Sequence, residues 1–373
     1  MRLVIAITGI VLLVAAAVVV PCLLSAGEVT QAAGYSLLAP IRSGNLTVFP
    51  VAANKSYDTA DFLTLDEGLR SGDVIITEAG QARGLMRRRP SDPLVIHPMR
   101  DAEVNRLVLV NNSKRPLLLL AGEIVTGGKQ DRVIGKDRIV PTESDPVDLS
   151  VFCVEPGRWV AANGKETFSA NLAGGMSGGV VAAPSVRSSA MAAKNQQQVW
   201  NNVEKSKQSM QVVVEAAPSA AAEVGSTTSY ARVMDNKEVQ QKVNAVAGPV
   251  ERDYQTVIAQ LRDKNAVGVV VAVNGEIVWA DIFASTHLLQ KYWPKLARSY
   301  ATEAVISRAK AAPVSSKDAQ RFLDDLQGRH ETADTEPGLY RETEITGDGF
   351  RVFELRSLLP KTGFVVHVAK MAD

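Results

Sequence analysis

Cysteine is nearly absent from this chain: two occur among 373 residues, Cys22 and Cys153. Cleavage of the N-terminal segment would leave Cys153 alone, so no intramolecular disulfide could form even in an oxidising compartment, and the fold would rest on its core. Histidine is also scarce. His97, His287, His330 and His367 stand singly, with no HxxxH pair and no CxxC, so neither a metal site nor any cofactor is expected. A basic face is missing too. The formal net charge is +1, and the only basic run, Arg87-Arg88-Arg89, sits in a Pro-flanked stretch that reads as a solvated loop, which argues against a nucleic-acid partner.

Long apolar runs are missing as well, with one exception. After Met1-Arg2, residues 3–20 carry no charge, and Thr8 is their only hydroxyl. This is the pattern of a signal sequence, and it is also close to the length that spans a bilayer as a helix. Apolar residues cover every face of such a helix, which argues against an amphipathic core element. Pro21 ends the run, and Ser25-Ala26-Gly27 offers small residues for cleavage near Glu28, whereas Val19-Val20-Pro21 is a poor lipobox before Cys22. The expectation is an exported protein, periplasmic or extracellular, or one held by a single N-terminal transmembrane helix, with the membrane as partner if the segment is uncleaved.

The remainder divides by composition into a β-rich half (28–162), an Ala/Ser/Gly-rich connector with one helix (163–229) and an α+β half (230–373), after a signal or anchor at 1–27. Short Val/Ile/Leu-rich runs bounded by turn residues predict strands over 74–77, 106–110, 116–121, 132–134, 138–140 and 147–154, with Gly135-Lys136-Asp137 as a hairpin turn. Thr64 with Glu67 three residues on has capping-box spacing and predicts a helix ending near Ser71-Gly72. In the connector, 174–184 and 216–228 read as loops, and 189–210 as a helix with Val199, Trp200 and Val203 on one side. Beyond it, helices are predicted over 236–247 and 250–264, split at Gly248-Pro249. Asn274-Gly275 joins strands 267–273 and 276–283, followed by a long helix containing Pro294, a helix over 316–327 and strands over 351–355 and 364–369. The fold class is α+β: an antiparallel-rich β region followed by helices and a hairpin, packed as one large or two closely associated lobes.

Polar residues concentrate in two places. Residues 122–132, Gly-Glu-Ile-Val-Thr-Gly-Gly-Lys-Gln-Asp-Arg, combine paired glycines with Lys129, Gln130 and Arg132, a set suited to an anion. A P-loop would need Lys at 128, where Gly128 stands. Residues 153–159, Cys-Val-Glu-Pro-Gly-Arg-Trp, end an apolar strand, where a scaffold can fix side chains beside an open edge. Glu123 and Glu155 are the candidate catalytic carboxylates, and Cys153 has no nearby histidine to activate it. Gly175-Met176-Ser177-Gly178-Gly179 fits GxSxG but lies among small residues without the strand and helix of a nucleophile elbow. Asp281 is a lone charge in an apolar strand, and is a candidate site acid or a structural carboxylate.

The blocks at 120–123, 128–132 and 153–159, continued by Gly268-Val269-Val270, Asn274-Gly275, Asp281-Ile282-Phe283 and residues 295–300 (Lys-Leu-Ala-Arg-Ser-Tyr), resemble the ARG-and-Rhodanese-Phosphatase-superfamily-associated domain family. The resemblance covers most of the chain beyond the N-terminal segment and implies no defined activity. The family name implies at most a link to ADP-ribose or related nucleotide chemistry, from which an export segment departs. The leading expectation is a pocket for a small anionic, nucleotide-like or sugar-like ligand. Lys129, Arg132 and Arg158 would neutralise it, Gln130 and the Gly127 and Gly128 amides would orient it, Trp159 would stack on it, and Asp281 is a further candidate. The alternatives are a metal-independent hydrolase using Glu123 or Glu155 as general acid or base, and a non-catalytic envelope interaction protein whose charges complete buried networks.

Overall fold

The computed structural model describes residues 34–79, 105–158, 167–169, 179–307 and 313–373. The segment 3–20, Cys22, Arg87-Arg88-Arg89, His97, Trp159 and residues 175–178 of the GxSxG match lie outside these. Among the described residues, no helix is long and apolar enough to cross a membrane.

The architecture is α+β, with eight α-helices among the described residues and extensive antiparallel sheet. A nine-stranded sheet runs in the order Ser36–Leu37, Leu46–Ala53, Asn265–Val273, Glu276–Phe283, Val365–Ala372, Phe350–Ser357, Tyr340–Thr346 and His330–Glu336, with Ile41–Ser43 also paired to Leu46–Ala53. Strand Leu46–Ala53, buried at every residue, therefore joins the C-terminal strands. Its Val48 side belongs to the cluster covered by the helices Lys237–Gln260 and Thr286–Ile306, and its Phe49 side to the cluster that includes Ala319 and Leu323 of helix Ser316–Asp324. A seven-stranded sheet holds Glu123–Gly127, Arg132–Ile134 and Val147–Cys153, and in a three-stranded sheet Leu117–Leu119 lies between Arg138–Val140 and Leu63–Thr64.

Local signals account for several boundaries. Thr64 caps helix Leu65–Ser71 with a full capping box to Glu67, and Gly72 closes it in the left-handed conformation. Asn274 and Gly275 have φ of 55° and 84°, both positive as the tight hairpin between Asn265–Val273 and Glu276–Phe283 requires.

Other boundaries differ from the sequence reading. Gly135-Lys136-Asp137 is not a hairpin turn, because the strands on either side join different sheets: Arg132–Ile134 pairs with Val147–Cys153 and Glu123–Gly127, and Arg138–Val140 with Leu117–Leu119. The crossing is held by the Gly135 amide on the Ser150 carbonyl and by Asp137, which turns inward. Gly248-Pro249 does not split a helix. Lys237–Gln260 is continuous, because Val239, Val243, Ala247, Val250 and Tyr254 form one buried stripe across the proline, and Tyr254 donates to the Gly268 carbonyl and packs on Trp293 at 4.4 Å. Pro294 likewise lies inside helix Thr286–Ile306. The predicted 189–210 helix is broken at Lys194, whose positive φ precedes the cap Asn195 of helix Gln196–Val213. Residues 216–228 are not a loop; they contain helix Pro218–Ser226.

Candidate functional site

The Gly122–Arg132 and Glu155–Arg158 segments meet. Arg132 is paired with Cys153 in adjacent strands, so the chain leaving Cys153 passes directly over the 128–131 turn. Arg158 donates to the Gly128 carbonyl at 2.9 Å and the Gly127 carbonyl at 3.3 Å, and it pairs with Glu155 at 2.6 Å and Asp131 at 3.5 Å. Glu155 also accepts from the Asp131 amide, and its own carbonyl accepts from the Gln130 side chain. Asp131 accepts from the Gly127 amide and from the Ser229 hydroxyl at 2.6 Å. Burial pushes the Asp131 carboxyl up and the charge of Glu155 adds to that, whereas in Arg158 the neighbouring carboxylates outweigh burial and raise the guanidinium. Arg132 is wholly buried beneath, donating to the Asp131 carbonyl, and burial pushes its guanidinium down.

This cluster is largely neutralised from within. Its glycines also answer to packing: a Cβ on Gly128 would lie 2.2 Å from the Phe168 ring, and one on Gly127 would lie 2.5 Å from the Thr167 carbonyl. Lys129 is half-buried, with its amide on Glu78. Cys153 is buried, and burial pushes its thiol up, away from the reactive thiolate; the Gln196 side chain holds its backbone at both amide and carbonyl.

Glu123 belongs to a second cluster. Its Oε1 lies 2.5 Å from Lys295 Nζ, its Oε2 accepts from the Leu120 amide at 2.7 Å, and Lys295 also pairs with Asp66 at 2.7 Å. Burial raises the Glu123 carboxyl against the pull of Lys295. In Lys295 the two carboxylates overcome burial and raise the ammonium. One turn earlier on the same helix, Lys291 pairs with Glu67, so the first turn of Leu65–Ser71 is tied twice to Thr286–Ile306. Glu123 and Glu155 thus answer to different cations, Lys295 and Arg158, in two separate clusters.

A third cluster was visible in the sequence only as the lone charge Asp281. Arg187 grips Asp281 with two hydrogen bonds, Tyr300 donates to it, and His367 Nε2 reaches it at 3.2 Å. His367 Nδ1 lies 2.5 Å from Asp137, whose other oxygen accepts from the Ala121 amide. Burial works against the Asp281 charge, but Arg187 and His367 hold the carboxyl far below its ordinary value. Burial likewise opposes the imidazolium, but Asp137 and Asp281 raise His367 to about 9. Gly122, at φ +94°, lets Arg187 pass: a Cβ there would sit 2.5 Å from Arg187 Cγ. His367 stood in the sequence only as one of four single histidines, and nothing there marked Arg187 or joined either to Asp281.

The cavity beside Lys295, lined also by Gly179, Asn244, Arg298 and Thr302, has a volume of only about 30 Å³, room for one or two waters at most. Among the described residues, no group of three His, Cys, Asp or Glu side chains is placed to hold a metal ion. Nine polar residues of the blocks that carried the resemblance, Glu123, Gln130, Asp131, Arg132, Glu155, Arg158, Asp281, Lys295 and Tyr300, belong to these three clusters. A family model described as ARPP-1, the ARG and Rhodanese-Phosphatase-superfamily-associated Protein domain, matches residues 34–371. No curated protein and no solved structure matches the chain.

Proposed function

The chain belongs to the ARG and Rhodanese-Phosphatase-superfamily-associated Protein domain family, and from that premise we propose that it is an exported or membrane-anchored, non-catalytic protein that binds a small anionic, nucleotide-like or sugar-like ligand. The observation that carries the reading is the enclosure of both candidate carboxylates, Glu123 by Lys295 and the Leu120 amide, Glu155 by Arg158 and the Asp131 amide. A general acid or base must come within hydrogen-bond reach of a substrate proton; protein groups take up both oxygens of Glu123, and in the buried Glu155 they take up Oε2. Export rests on residues 1–27, and the preference for an anion on cationic side chains near the surface.

The test is to make Glu123→Gln and Glu155→Gln, then measure thermal stability, turnover of a glycoside and nucleotide-sugar panel, and melting shifts with small anions. The expected result is no turnover by any form, lower stability in both variants and retained anion shifts. Turnover by the wild type that either variant abolishes would favour the hydrolase instead.

An envelope interaction protein is favoured by one observation, the edge strand His330–Glu336, exposed at all seven positions. Unpaired strand edges template association with other chains. Capture of a partner that is lost on placing proline at Ala333 would support that reading.

A further inference from the structure

We propose that a cleft at one end of the nine-stranded sheet is the binding site for a small ring-bearing anion, an aromatic or alicyclic body carrying one carboxylate or phosphate-type group. This rests on the reading above that the protein binds a small anion, and adds where and of what kind. The cleft has a volume of about 320 Å³, which falls within the roughly 300–1,000 Å³ common to small-molecule sites. Five strands meet there, contributing Ala53, Val267, Phe283, Arg356 and Val365.

Two β-bulges shape it. Ala266 and Gly268 stand opposite Ala52 and Val51, leaving Val267 as an extra residue in the cleft wall. Leu355 and Arg356 stand opposite His367 and Val365, leaving Val366 extra and setting Arg356 and Val365 at the cleft. Bulges are concentrated beside binding sites because the added residue re-aims its neighbours.

The floor and rim differ in chemistry. Ala53, Val267, Ile282 and Val368, which share one face of the sheet, make an apolar floor that suits a ring. The Tyr57 ring stacks on Phe364 at 4.3 Å, with the Lys55 ammonium 4.4 Å from the Tyr57 centroid, and the Tyr57 amide is anchored on the Ala284 carbonyl. Among the described lining residues the charged ones are Lys55 and Arg356, both cationic. Arg356 is about one-third exposed, with Glu354 behind it at 3.6 Å. At 3.6 Å that ion pair is longer than a charge-assisted hydrogen bond, so guanidinium donors are left for a ligand. A guanidinium takes a carboxylate or phosphonate in two-point fashion, with the ammonium as second charge. Tyr35 supplies a phenol on the same wall, its hydroxyl raised by burial and by the nearby Glu354 and Tyr57.

The experiment is calorimetric titration of the full chain with phenylphosphonate, with methylphosphonate and benzyl alcohol as anion-only and ring-only controls, and with inorganic phosphate, a nucleoside monophosphate and a sugar phosphate as further anions. Phenylphosphonate should bind more tightly than either control, and Arg356→Gln should weaken it about tenfold, the scale of one charge-assisted contact. Lys55→Gln should weaken it less, and Val267→Trp, which fills the floor, should abolish it. Unchanged melting temperatures in Lys55→Gln and Arg356→Gln would show that the fold is intact. Phenylphosphonate binding that is indifferent to all three variants, or binding only of the other anions, would overturn the cleft as the site and leave the small-anion reading standing. Failure of every anion to bind the wild type would overturn both.

Discussion

Arg187 holds Asp281 with two hydrogen bonds, at 2.8 and 3.1 Å, and neither side chain has any exposure to solvent. Arg187 comes from a short helix, Pro184–Ser188, and Asp281 from the centre of the main sheet. The guanidinium also lies over the Trp279 ring at 4.3 Å. Removing one partner strands the other in a dry interior. Arg187→Met or Asp281→Asn should therefore cost about 3–5 kcal/mol, read from urea unfolding. Arg187→Met with Asp281→Leu should recover part of that loss, because no lone charge is left between them. A double variant no better than the worse single would contradict this account.

His367 gives the network a pH signature. Its folded value of about 9 lies above the ordinary 6.5. The folded state thus holds the proton more tightly, and the stabilisation is complete below pH 6.5 and lost as pH rises through 9, on the order of 2 to 3 kcal/mol. Glu342, raised from 4.5 to about 7 by burial and by Asp137, acts in the same direction at lower pH: its contribution is present below 4.5 and lost by 7. Urea midpoints should fall from pH 5 to 9, and Glu342→Gln should flatten the part below 7 while leaving the part above. Midpoints that rise across this range would refute the assignment.

Gly268 marks where backbone meets backbone. A Cβ there would lie 2.3 Å from the Asp281 carbonyl oxygen and 2.8 Å from Ile282 Cα, atoms of the paired strand that cannot swing aside. Gly268→Ala should therefore cost on the order of 2 kcal/mol, within the range for overpacking, as a drop in melting temperature. An unchanged melting temperature would mean that the sheet opens there without cost.

Much of the fold was legible because its signals are local. Thr64 with Glu67, Asn274-Gly275 and the apolar runs of the strands each act within a few residues, and the structure follows them. Gly135-Lys136-Asp137 misled because a turn composition says nothing about which sheet the next strand joins; Asp137 is drawn inward by the Ala121 amide and by His367, 230 residues away in sequence. Pro249 misled because tertiary packing of Val243, Ala247 and Val250 keeps the helix whole against a local penalty. Strand His330–Glu336 has no alternating pattern to read, being exposed throughout. At the site, the polar residues could be named from sequence, but whether a charge faces a ligand or another side chain depends on long-range pairing. Asp281 with Arg187 and Glu123 with Lys295 are separated by 94 and 172 residues.

Arg158→Met tests most directly the proposal that the Glu155–Arg158 cluster is framework and that anions bind elsewhere. Arg158 pairs with Glu155 and Asp131 and ties the Gly127 and Gly128 carbonyls. Urea unfolding and phenylphosphonate titration of this variant should show a stability loss of about 2 kcal/mol or more, as expected when buried carboxylates lose their cation, with the ligand affinity of the wild type unchanged. Full stability with lost affinity would contradict the account and return the anion to the Gly127–Arg132 turn.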